Sequence, residues 1–301
     1  MSRNAVLIVN PFATGVTEER VAAVERVLAR VAHLDVLLTR RPRHATELAE
    51  DACGSGECAA IFVFSGDGGF NEAVNGSDGV VPIGFVPGGR TSVLPRALGL
   101  PADPVAAAER LAGAFAGGRG RRISLGRVNG RRFTFGAGIG FDAEAVRRVD
   151  AYGRKDDGRR PGDARFALTV ARMLLERRAH YEPVLEVAGY GRAAFVLVAN
   201  GDPYTYAKRI PLHVAPDARF EAGLDVVAPV RVVPRAVPRF LAYVLAGRGQ
   251  QRAKDVLYGH DLDRIEVRCD RPLPLQADGE DLGDVESAVF ETEREALPVL
   301  V

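Results

Sequence analysis

The N-terminal part of the chain alternates between short apolar runs and longer stretches with helical periodicity. The apolar runs cover residues 5–9, 36–38, 59–64 and 80–86. After the first run, Thr17 is a helix-capping residue type, and Val21, Val24 and Leu28 follow at helical spacing. Strands that alternate with helices are typical of a parallel sheet with helices on both faces. This region therefore predicts an α/β fold with a doubly wound parallel sheet.

Beyond residue 120 the pattern changes to short strand-like runs joined by turns that contain glycine and proline. Two helical stretches interrupt them, at residues 165–178 and 235–246. This part of the chain predicts an antiparallel, β-rich, sandwich-like domain. A length of 301 residues suits two domains of moderate size. We assign residues 1–120 to the α/β domain and residues 121–301 to the β-rich domain.

Composition limits the classes of protein to which the chain can belong. A net charge of +1 gives no overall attraction to nucleic acid. The cysteine count of 3 is odd and low, which argues against a disulfide framework and fits a reducing compartment. No apolar run has the length of a membrane span, and the first residues lead into a strand rather than a signal peptide. We expect a protein that is cytoplasmic or peripheral on the inner face of a membrane.

The strongest chemical signal is Ser65-Gly66-Asp67-Gly68-Gly69, which follows a buried strand and opens a helix. Glycines at such a turn let backbone N–H groups face an anion, and the helix N-terminus adds a favourable partial charge. Phosphate is the natural ligand, although a tight strand-to-helix turn alone also favours glycine. Asp67 would repel a bare phosphate, so we expect its carboxylate to meet a metal ion or a hydroxyl group.

Two further glycine-bearing loops follow strands of the same sheet. One is Asn10-Pro11-Phe12-Ala13-Thr14-Gly15 and the other is Pro87-Gly88-Gly89. Ligands of open α/β sheets bind beyond the carboxyl ends of the strands. Each loop alone is more simply a turn, but three at one edge predict a binding site. The chain has no P-loop pattern, so Arg90 and Arg96 are the candidates for neutralising phosphate charge.

A third signal lies late in the chain, where Asp278, Glu280 and Asp281 surround Gly279. Carboxylates around a glycine are most often an exposed turn. The functional interpretation is a general base that removes a proton from an attacking hydroxyl group.

Together these residues resemble the catalytic family of the diacylglycerol kinases, which includes bacterial lipid kinases and sphingosine kinases. Each motif alone is weak, but the ordered set is specific. The matching segments are Asn10-Pro11…Gly15, Gly66-Asp67-Gly68…Asn71-Glu72…Asn75-Gly76, Pro87…Gly89…Arg96-Ala97-Leu98-Gly99, Gly138…Gly140-Phe141-Asp142-Ala143, Pro216-Asp217-Ala218 and Asp278-Gly279-Glu280.

The resemblance implies a lipid kinase that uses ATP and Mg²⁺, with the reactants in a cleft between an α/β nucleotide-binding domain and a β-rich lipid-substrate domain. It implies Glu280 as the base of the bacterial enzymes, whereas the Ser65-Gly66-Asp67-Gly68 version is similar to sphingosine kinases, in which the aspartate is the base. We favour Glu280 as the base, with Asp67 as its partner through the substrate hydroxyl or the metal. The residues implied for nucleotide binding are Asn10, Pro11, Thr14, Gly15, Thr39, Gly66, Asp67, Gly68, Gly69, Asn71, Glu72, Gly89 and Arg90.

The chain departs from the family pattern at three places. Gly69 stands where the glycine loop usually ends in threonine, and Arg90 stands where a threonine usually follows Gly89. Ala222 stands where the loop after Pro216-Asp217-Ala218 usually carries a second aspartate, so the metal ligands stay unassigned. These changes leave Asp67 and Glu280 in place but make the substrate harder to name.

A kinase for bilayer lipids must reach a membrane surface. Residues 147–178 carry ten basic and five acidic side chains, and Phe166, Val170, Met173 and Leu174 share one helical face. A basic amphipathic helix beside a mobile loop at residues 153–163 would suit anionic lipid. The simpler interpretation is a solvated helix that packs its apolar face on the β-rich domain.

Two other functions compete with the lipid kinase. An NAD kinase would share the Gly-Asp-Gly loop and the two-domain plan, but it would lack the Asn10-Pro11 opening. A catalytically silent nucleotide-binding regulator would fit Gly69, Arg90 and Ala222, but not the retained Asp67 and Glu280. The resemblance implies a role in phospholipid biosynthesis, with diacylglycerol or a sphingoid-like lipid as acceptor, and it suggests a homodimer by analogy.

Overall fold

The computed structural model describes residues 3–152 and 163–301. Most of the predicted mobile loop at residues 153–163 lies outside the described residues. The chain divides into two compact units. Unit 1 comprises Met1–Ser124 and Glu295–Val301, and unit 2 comprises Leu125–Arg294.

Unit 1 contains a parallel sheet with the strand order β4-β3-β1-β2. The predicted parallel sheet is therefore confirmed. Its strands are β1 (Arg3–Val9), β2 (Ala32–Leu38), β3 (Cys58–Ser65) and β4 (Ile83–Pro87). Its helices are α1 (Glu18–Leu28), α2 (His44–Gly54), α3 (Asp67–Asn75), α4 (Val93–Ala97) and α5 (Pro104–Ala116).

Helices cover both faces of this sheet because its central strands are apolar along their whole length. On one face, Phe62 and Phe64 pack with Leu28 of α1 and Phe115 of α5. On the other face, the ring of Phe70 from α3 contacts that of Phe85 from β4, with 5.2 Å between ring centroids. This double covering leaves the carboxyl ends of the strands as the edge where loops can meet.

Unit 2 is built around an antiparallel sheet with the strand order β14-β13-β10-β7-β15-β16, and β9 pairs with β8, which pairs with β15. The strands are β5 (Arg121–Val128), β6 (Arg131–Phe133), β7 (Gly136–Ile139), β8 (Leu185–Val187), β9 (Gly191–Ala193), β10 (Val196–Ala199), β11 (Thr205–Ala207), β12 (Ile210–Leu212), β13 (Leu224–Pro229), β14 (Val256–Leu262), β15 (Arg264–Ala277) and β16 (Glu280–Val299). The helices are α6 (Phe141–Ala151), α7 (Asp163–Glu176) and α8 (Val237–Ala246), with 3₁₀ turns at Pro234–Ala236 and Gln250–Arg252.

The core of unit 2 comes from alternating positions on antiparallel strands. In β15, Ile265 and Val267 are buried, while Glu266 and Arg268 between and beside them are exposed. Phe133 of β6 meets Phe290 of β16 edge to face. The predicted antiparallel β-rich domain is therefore confirmed.

The end of the chain belongs to unit 1, so the two units are not separated by a single point in the sequence. Val299, at the end of β16, pairs in parallel with Ile83 of β4. The N–H of Leu300 also donates to the carbonyl oxygen of Ile83, at 3.0 Å. Pairing between strands so far apart in the sequence leaves no local signal. The predicted division at residue 120 therefore did not assign the C-terminal residues to the α/β domain.

Candidate active site

Three loops meet at the carboxyl edge of the unit 1 sheet. The N–H of Gly15, after β1, donates to the carbonyl oxygen of Gly88, after β4, at 2.7 Å. The N–H of Gly88 in turn donates to the carbonyl oxygen of Ser65, at the end of β3, at 2.7 Å. The structure thus brings together the three glycine-bearing loops that the sequence singled out.

The loops approach one another too closely for side chains at their contact points. A Cβ atom on Gly89 would stand 2.8 Å from the Cα atom of Gly66, and one on Gly15 would stand 2.9 Å from the carbonyl oxygen of Gly88. Glycine is therefore required on steric grounds. The packed backbones adjoin the N-terminus of α3, where the first N–H groups of a helix and the helix dipole favour an anion.

The side chain of Ser65 occupies the space beside the Cα atom of Gly69. The Oγ atom of Ser65 lies where a Cβ atom on Gly69 would have to stand, and the Ser65 Cβ atom would be 2.8 Å from it. Ser65 is buried, and its hydroxyl oxygen has no hydrogen-bond partner among the described residues. The glycine at position 69, which the sequence marked as a departure from the family, follows directly from the serine at position 65.

Asp67 is the first residue of α3 and is half-buried. Its Oδ1 atom accepts a hydrogen bond from the N–H of Leu94, at 3.3 Å, near the start of α4. Ser92, just before α4, has a left-handed backbone, and its hydroxyl oxygen accepts a hydrogen bond from the N–H of Gly89 at 3.2 Å. The carboxylate of Asp67 is therefore positioned by the loop that follows β4.

Asn71 and Glu72, also predicted to bind nucleotide, make structural contacts in α3. Asn71 is fully buried, and its Oδ1 atom accepts a hydrogen bond from the side chain of Asn75 at 3.1 Å. The Oε2 atom of Glu72 accepts a hydrogen bond from the N–H of Ala45, at 3.2 Å, in the first turn of α2. The hydroxyl of Thr46 donates to the carbonyl oxygen of Glu72 at 2.9 Å. These contacts hold α2 against α3.

The other predicted nucleotide-binding residues lie along the same edge. The Oδ1 atom of Asn10 accepts a hydrogen bond from the N–H of Phe12 at 3.0 Å, which tightens the turn after β1. Thr39 is buried, and its N–H donates to the carbonyl oxygen of Val9 at 2.8 Å. Pro11 and Arg90 are exposed, whereas Thr14 and Gly68 are half-buried.

In unit 2, Asp278 anchors the turn between β15 and β16. Its two carboxylate oxygens accept hydrogen bonds from the N–H groups of Thr134, Phe135 and Gly136, at 2.7, 3.0 and 3.2 Å, and from the Thr134 hydroxyl at 2.8 Å. Burial raises the pKa of Asp278, and these four donors oppose that shift. Asp278 itself has a left-handed backbone, with φ of 48°. The turn that carries Glu280 is therefore held rigidly.

Glu280 begins β16 directly after this turn and is half-buried. Its Oε2 atom forms an ion pair with the guanidinium of Arg131. The next residue, Asp281, pairs with Arg147 of α6 at 2.8 Å, and this contact lowers the pKa of Asp281. Of the two carboxylates, Glu280 is the less exposed, and the anchored turn sets its position.

A further cluster beside this turn was not predicted as a site. The Tyr204 hydroxyl and the Gln276 amide donate to Oδ2 of Asp142, at 2.9 and 2.6 Å. The N–H of Gly279 donates to Oε1 of Gln276 at 2.9 Å, which ties the cluster to the turn before Glu280. Burial raises the pKa of Asp142, although the two donors oppose it. The motif containing Asp142 could be recognised in the sequence. Its partners Tyr204 and Gln276 could not, because they are too distant from it along the chain.

The described residues contain no group of three or more His, Cys, Asp or Glu side chains arranged to hold a metal ion. In the loop that includes Asp217, the backbone N–H of Asp217 donates to the hydroxyl of Tyr258 at 3.3 Å. The Tyr258 hydroxyl in turn donates to the buried Asp225, at 3.1 Å. Among the acidic residues described above, Asp67 is the one at the glycine loops.

Comparison with known families agrees with this two-part organisation. Residues 4–128 match the diacylglycerol kinase catalytic domain. Residues 137–301 match the YegS C-terminal NAD kinase beta sandwich-like domain.

Two relatives align with parts of the chain. A diacylglycerol kinase from Bacillus subtilis is 38% identical over 106 residues, which cover 32% of this chain and 34% of the relative. A protein from Streptococcus pneumoniae serotype 4, provisionally named a lipid kinase, is 25% identical over 206 residues, which cover 65% of this chain and 66% of the relative. The chain thus matches about a third of the first relative's length and just under two thirds of the second's.

Solved structures share the fold over nearly the whole chain. A diacylglycerol kinase from Bacillus anthracis superposes with a TM-score of 0.73 at 18% identity, covering 99% of this chain and 96% of that one. Another B. anthracis protein, provisionally named a diacylglycerol kinase, gives a TM-score of 0.76 at 20% identity, with 99% and 97% covered. Within the described part of the chain, no helix is both long enough and apolar enough to cross a membrane. Both family matches, in order along one chain, show that it belongs to the diacylglycerol kinase family, with a YegS-type C-terminal domain.

Proposed function

We propose that this protein is an ATP- and Mg²⁺-dependent lipid kinase that transfers the γ-phosphate of ATP to a hydroxyl group of diacylglycerol or of a sphingoid-like lipid. The observation that carries the proposal is the meeting of three glycine loops around the N-terminus of α3, with Asp67 at its first position. Family membership supports a kinase and a lipid acceptor.

In this proposal the loops of unit 1 bind the nucleotide. The close contacts of Gly15, Gly66 and Gly89 expose backbone rather than side chains, which suits a chain of phosphates. Arg90 is exposed beside Gly89 and can neutralise phosphate charge. Asn10, Pro11, Thr14 and Thr39 lie along the same edge, and Gly68 and Gly69 belong to the first turn of α3. Asn71 and Glu72 stabilise this turn through their contacts within α3 and with α2.

The residues at the glycine loops could hold Mg²⁺ only together with the phosphates of the nucleotide. Mg²⁺ is usually held by one or two carboxylates together with substrate phosphates. Asp67 provides one such carboxylate next to the glycine loops. When bound, the ion would neutralise charge on the phosphates.

Glu280 is the proposed base. Its carboxylate accepts the proton of the lipid hydroxyl as that oxygen forms a bond to the γ-phosphorus, and the bond from phosphorus to the β,γ-bridging oxygen breaks to leave ADP. The hydrogen bonds to Asp278 hold the turn in place, and Arg131 orients the Glu280 side chain. Positioning of this kind supplies most of the catalysis in phosphoryl transfer.

The experiment that tests the proposal follows labelled γ-phosphate from ATP into an extracted lipid mixture, with Mg²⁺ or with a chelator. We expect a metal-dependent phospholipid product, which mass spectrometry would identify as a phosphorylated diacylglycerol or sphingoid base. Transfer to NAD in place of lipid would instead support an NAD kinase, the enzyme to whose β sandwich the C-terminal domain is likened. ATP binding without transfer to any acceptor would support a silent nucleotide-binding protein.

A further inference from the structure

Helix α8 of unit 2 has an apolar face that no other part of the described chain covers. The exposed fractions of Leu241 and Leu245, one helical turn apart, are 56% and 48%. No residue of α8 is fully buried. Phe240, on the opposite side, packs against the cluster that contains Tyr204 and Val214. The helix is thus fixed to unit 2 by one face and presents leucines to solvent on the other.

This arrangement differs from that in an ordinary surface helix, because the inward and the outward sides of α8 are both apolar. Such a helix turns its apolar side inward and its charged side outward. In α8 the only charged residue is Arg239, and the outward positions also include Pro238, Ala242 and Ala246. A contiguous apolar surface of this kind marks a site that contacts a membrane or another apolar partner.

The hairpin of β11 and β12 lies beside α8 and carries a further exposed apolar residue. The N–H of His213, which follows β12, donates to the carbonyl oxygen of Val244 in α8 at 2.8 Å. Ile210, at the start of β12, has an exposed fraction of 55%. The turn before it carries Lys208 and Arg209, both exposed. Cationic side chains therefore border the leucine face on this side.

An arginine-rich cavity borders the other end of α8. It has a volume of about 460 Å³ and lies where the 3₁₀ turn leads into the helix. Arg231 pairs with Glu182 at 3.0 Å, and Arg239 pairs with Asp255. Arg235 forms no ion pair with any described residue. The lining residues are Arg231, Val233, Arg235, Ala236, Arg239 and Asp255.

The segment that contains α8 is basic, although Glu182 and Asp255 pair with two of its arginines. Residues 231–254 carry six basic side chains and no acidic side chain, although the net charge of the whole chain is only +1. Charge of one sign around an exposed apolar face favours a partner of opposite charge with an apolar interior.

We propose that α8, together with Ile210 and the arginine cavity, is the surface by which this protein docks on an anionic lipid bilayer. Leu241, Leu245 and Ile210 enter the boundary between headgroups and acyl chains, and Arg235 contacts lipid phosphates. The docking surface adds a lipid partner to the proposed kinase, but it depends only on the chemistry of this face. Docking can therefore be measured without ATP, and its failure is distinct from a failure of phosphoryl transfer.

Charge favours a bilayer over a second copy of the chain as the occupant. A symmetric dimer through this face would bring each copy's basic border against the same border of the other copy. Like charges placed together in that way oppose association. An anionic bilayer supplies opposite charge at the border and hydrocarbon at the centre.

Helix α7 provides a matched comparison, since the sequence suggested that helix as the membrane contact. Its residue Met173 is buried, and Arg148 of α6 pairs with Glu176 at its end at 2.6 Å. Leu168 and Leu175 of α7 are exposed to 50% and 76%, so they match the α8 leucines in type and exposure. On this helix, however, Arg172 lies between the two leucines and the acidic Glu176 follows them.

The test is flotation of the full-length protein with vesicles, in the absence of nucleotide. Vesicles of phosphatidylcholine with about 30 mol% phosphatidylglycerol are compared with vesicles of phosphatidylcholine alone. Three variants are used: Leu241→Gln/Leu245→Gln, Arg235→Glu, and the control Leu168→Gln/Leu175→Gln. Circular dichroism and size-exclusion chromatography with light scattering verify that each variant is folded and report its oligomeric state.

We expect wild type to float with the anionic vesicles and the α8 leucine variant to lose about tenfold or more in partition coefficient. Arg235→Glu should weaken binding to anionic vesicles, and salt raised to about 0.5 M should do the same in wild type. The α7 control should bind like wild type. Equal binding by the α8 variant and wild type would overturn the proposal, as would equal losses in the α7 and α8 variants. A wild-type dimer that the α8 variant dissociates, without vesicle binding, would assign the face to self-association instead.

Discussion

The hydroxyl oxygen of Ser65 occupies the space that a Cβ atom on Gly69 would need. This contact joins the last residue of β3 to the first turn of α3, inside the loop proposed to bind phosphate. Two positions that look independent in the sequence are therefore constrained together. A threonine at position 69 requires a smaller residue at position 65.

The first prediction concerns this pair. Gly69→Thr should lower the free energy of unfolding by about 1–3 kcal/mol, because the new side chain collides with the buried Ser65. In the Ser65→Gly background the same change should cost clearly less, since the space is then open. Urea denaturation of the four proteins of this double-mutant cycle measures the coupling. Additive effects would show that the two positions do not share the space.

The second prediction separates the charge of Asp67 from its role as a hydrogen-bond acceptor. Asp67→Asn keeps an oxygen that can accept from the N–H of Leu94, so thermal stability should stay near that of wild type. Affinity for ATP in the presence of Mg²⁺ should fall by about tenfold or more, because the carboxylate proposed to bind the metal is lost. Affinity for ATP with chelator should not fall. Isothermal titration calorimetry under both conditions makes the comparison, and equal losses in the two would contradict the metal role.

The third prediction concerns the base. Glu280→Gln should lower kcat by about 10²–10⁴-fold, since the amide cannot accept the hydroxyl proton. The Kd for nucleotide should be unchanged. Glu286→Gln, an exposed glutamate on the same strand, is the matched control and should keep wild-type kcat. Wild-type turnover by Glu280→Gln would exclude this residue as the base.

The fourth prediction assigns Glu72 to structure. Glu72→Ala removes the acceptor for the N–H of Ala45, so it should lower the free energy of unfolding by about 1 kcal/mol. Below the melting transition, KM for ATP should stay at the wild-type value. Glu50→Ala, at an exposed position on α2, controls for the loss of a surface carboxylate. A large rise in KM without loss of stability would instead place Glu72 in the nucleotide site.

The fifth prediction concerns Asp142, which is half-buried and whose carboxyl group is enclosed by Tyr204 and Gln276. Burial raises its pKa in the folded state, so the folded protein holds this proton more tightly than the unfolded chain does. Its contribution to stability is complete below the unfolded pKa of about 4 and is lost as the pH rises through the raised folded pKa.

Asp142→Asn removes this titration while keeping an acceptor for Tyr204 and Gln276. The free energy of unfolding of wild type should therefore decline more steeply than that of the variant as the pH rises above about 4. Urea denaturation across this pH range provides both profiles. Parallel profiles would show that Asp142 ionises in the folded state as it does in the unfolded chain.

Local patterns in the sequence were sufficient for the sheet and its loops. Strands and helices could be told apart because their apolar residues recur with different periods. The carboxyl ends of parallel strands lie at one edge of a sheet, so the meeting of the loops after Val9, Ser65 and Pro87 could also be predicted. The assignment of Asn71 and Glu72 to the nucleotide site came from the family resemblance and stays a prediction, since a motif does not show which side chains of its helix point toward a neighbouring helix. In the structure Glu72 accepts a hydrogen bond from the N–H of Ala45 in α2, whereas Asn71 accepts one from Asn75 within α3.

Contacts between distant parts of the chain could not be predicted in this way. A hydrogen-bonded cluster forms from Asp142, Tyr204 and Gln276, which are separated in the sequence by more than half the length of unit 2. No periodicity links these positions. The return of Val299 to the parallel sheet is likewise a long-range pairing. The outward leucines of α8 could not be recognised either, because apolar residues at helical spacing usually indicate a buried face.

The most direct test of the central claim is an acceptor competition. Labelled ATP and Mg²⁺ are offered together with diacylglycerol, a sphingoid base and NAD, to wild type and to Glu280→Gln. The account predicts label in a lipid phosphate with wild type, little with the variant, and none in NADP. Label in NADP, or ATP binding by wild type with no label in any acceptor, would contradict it.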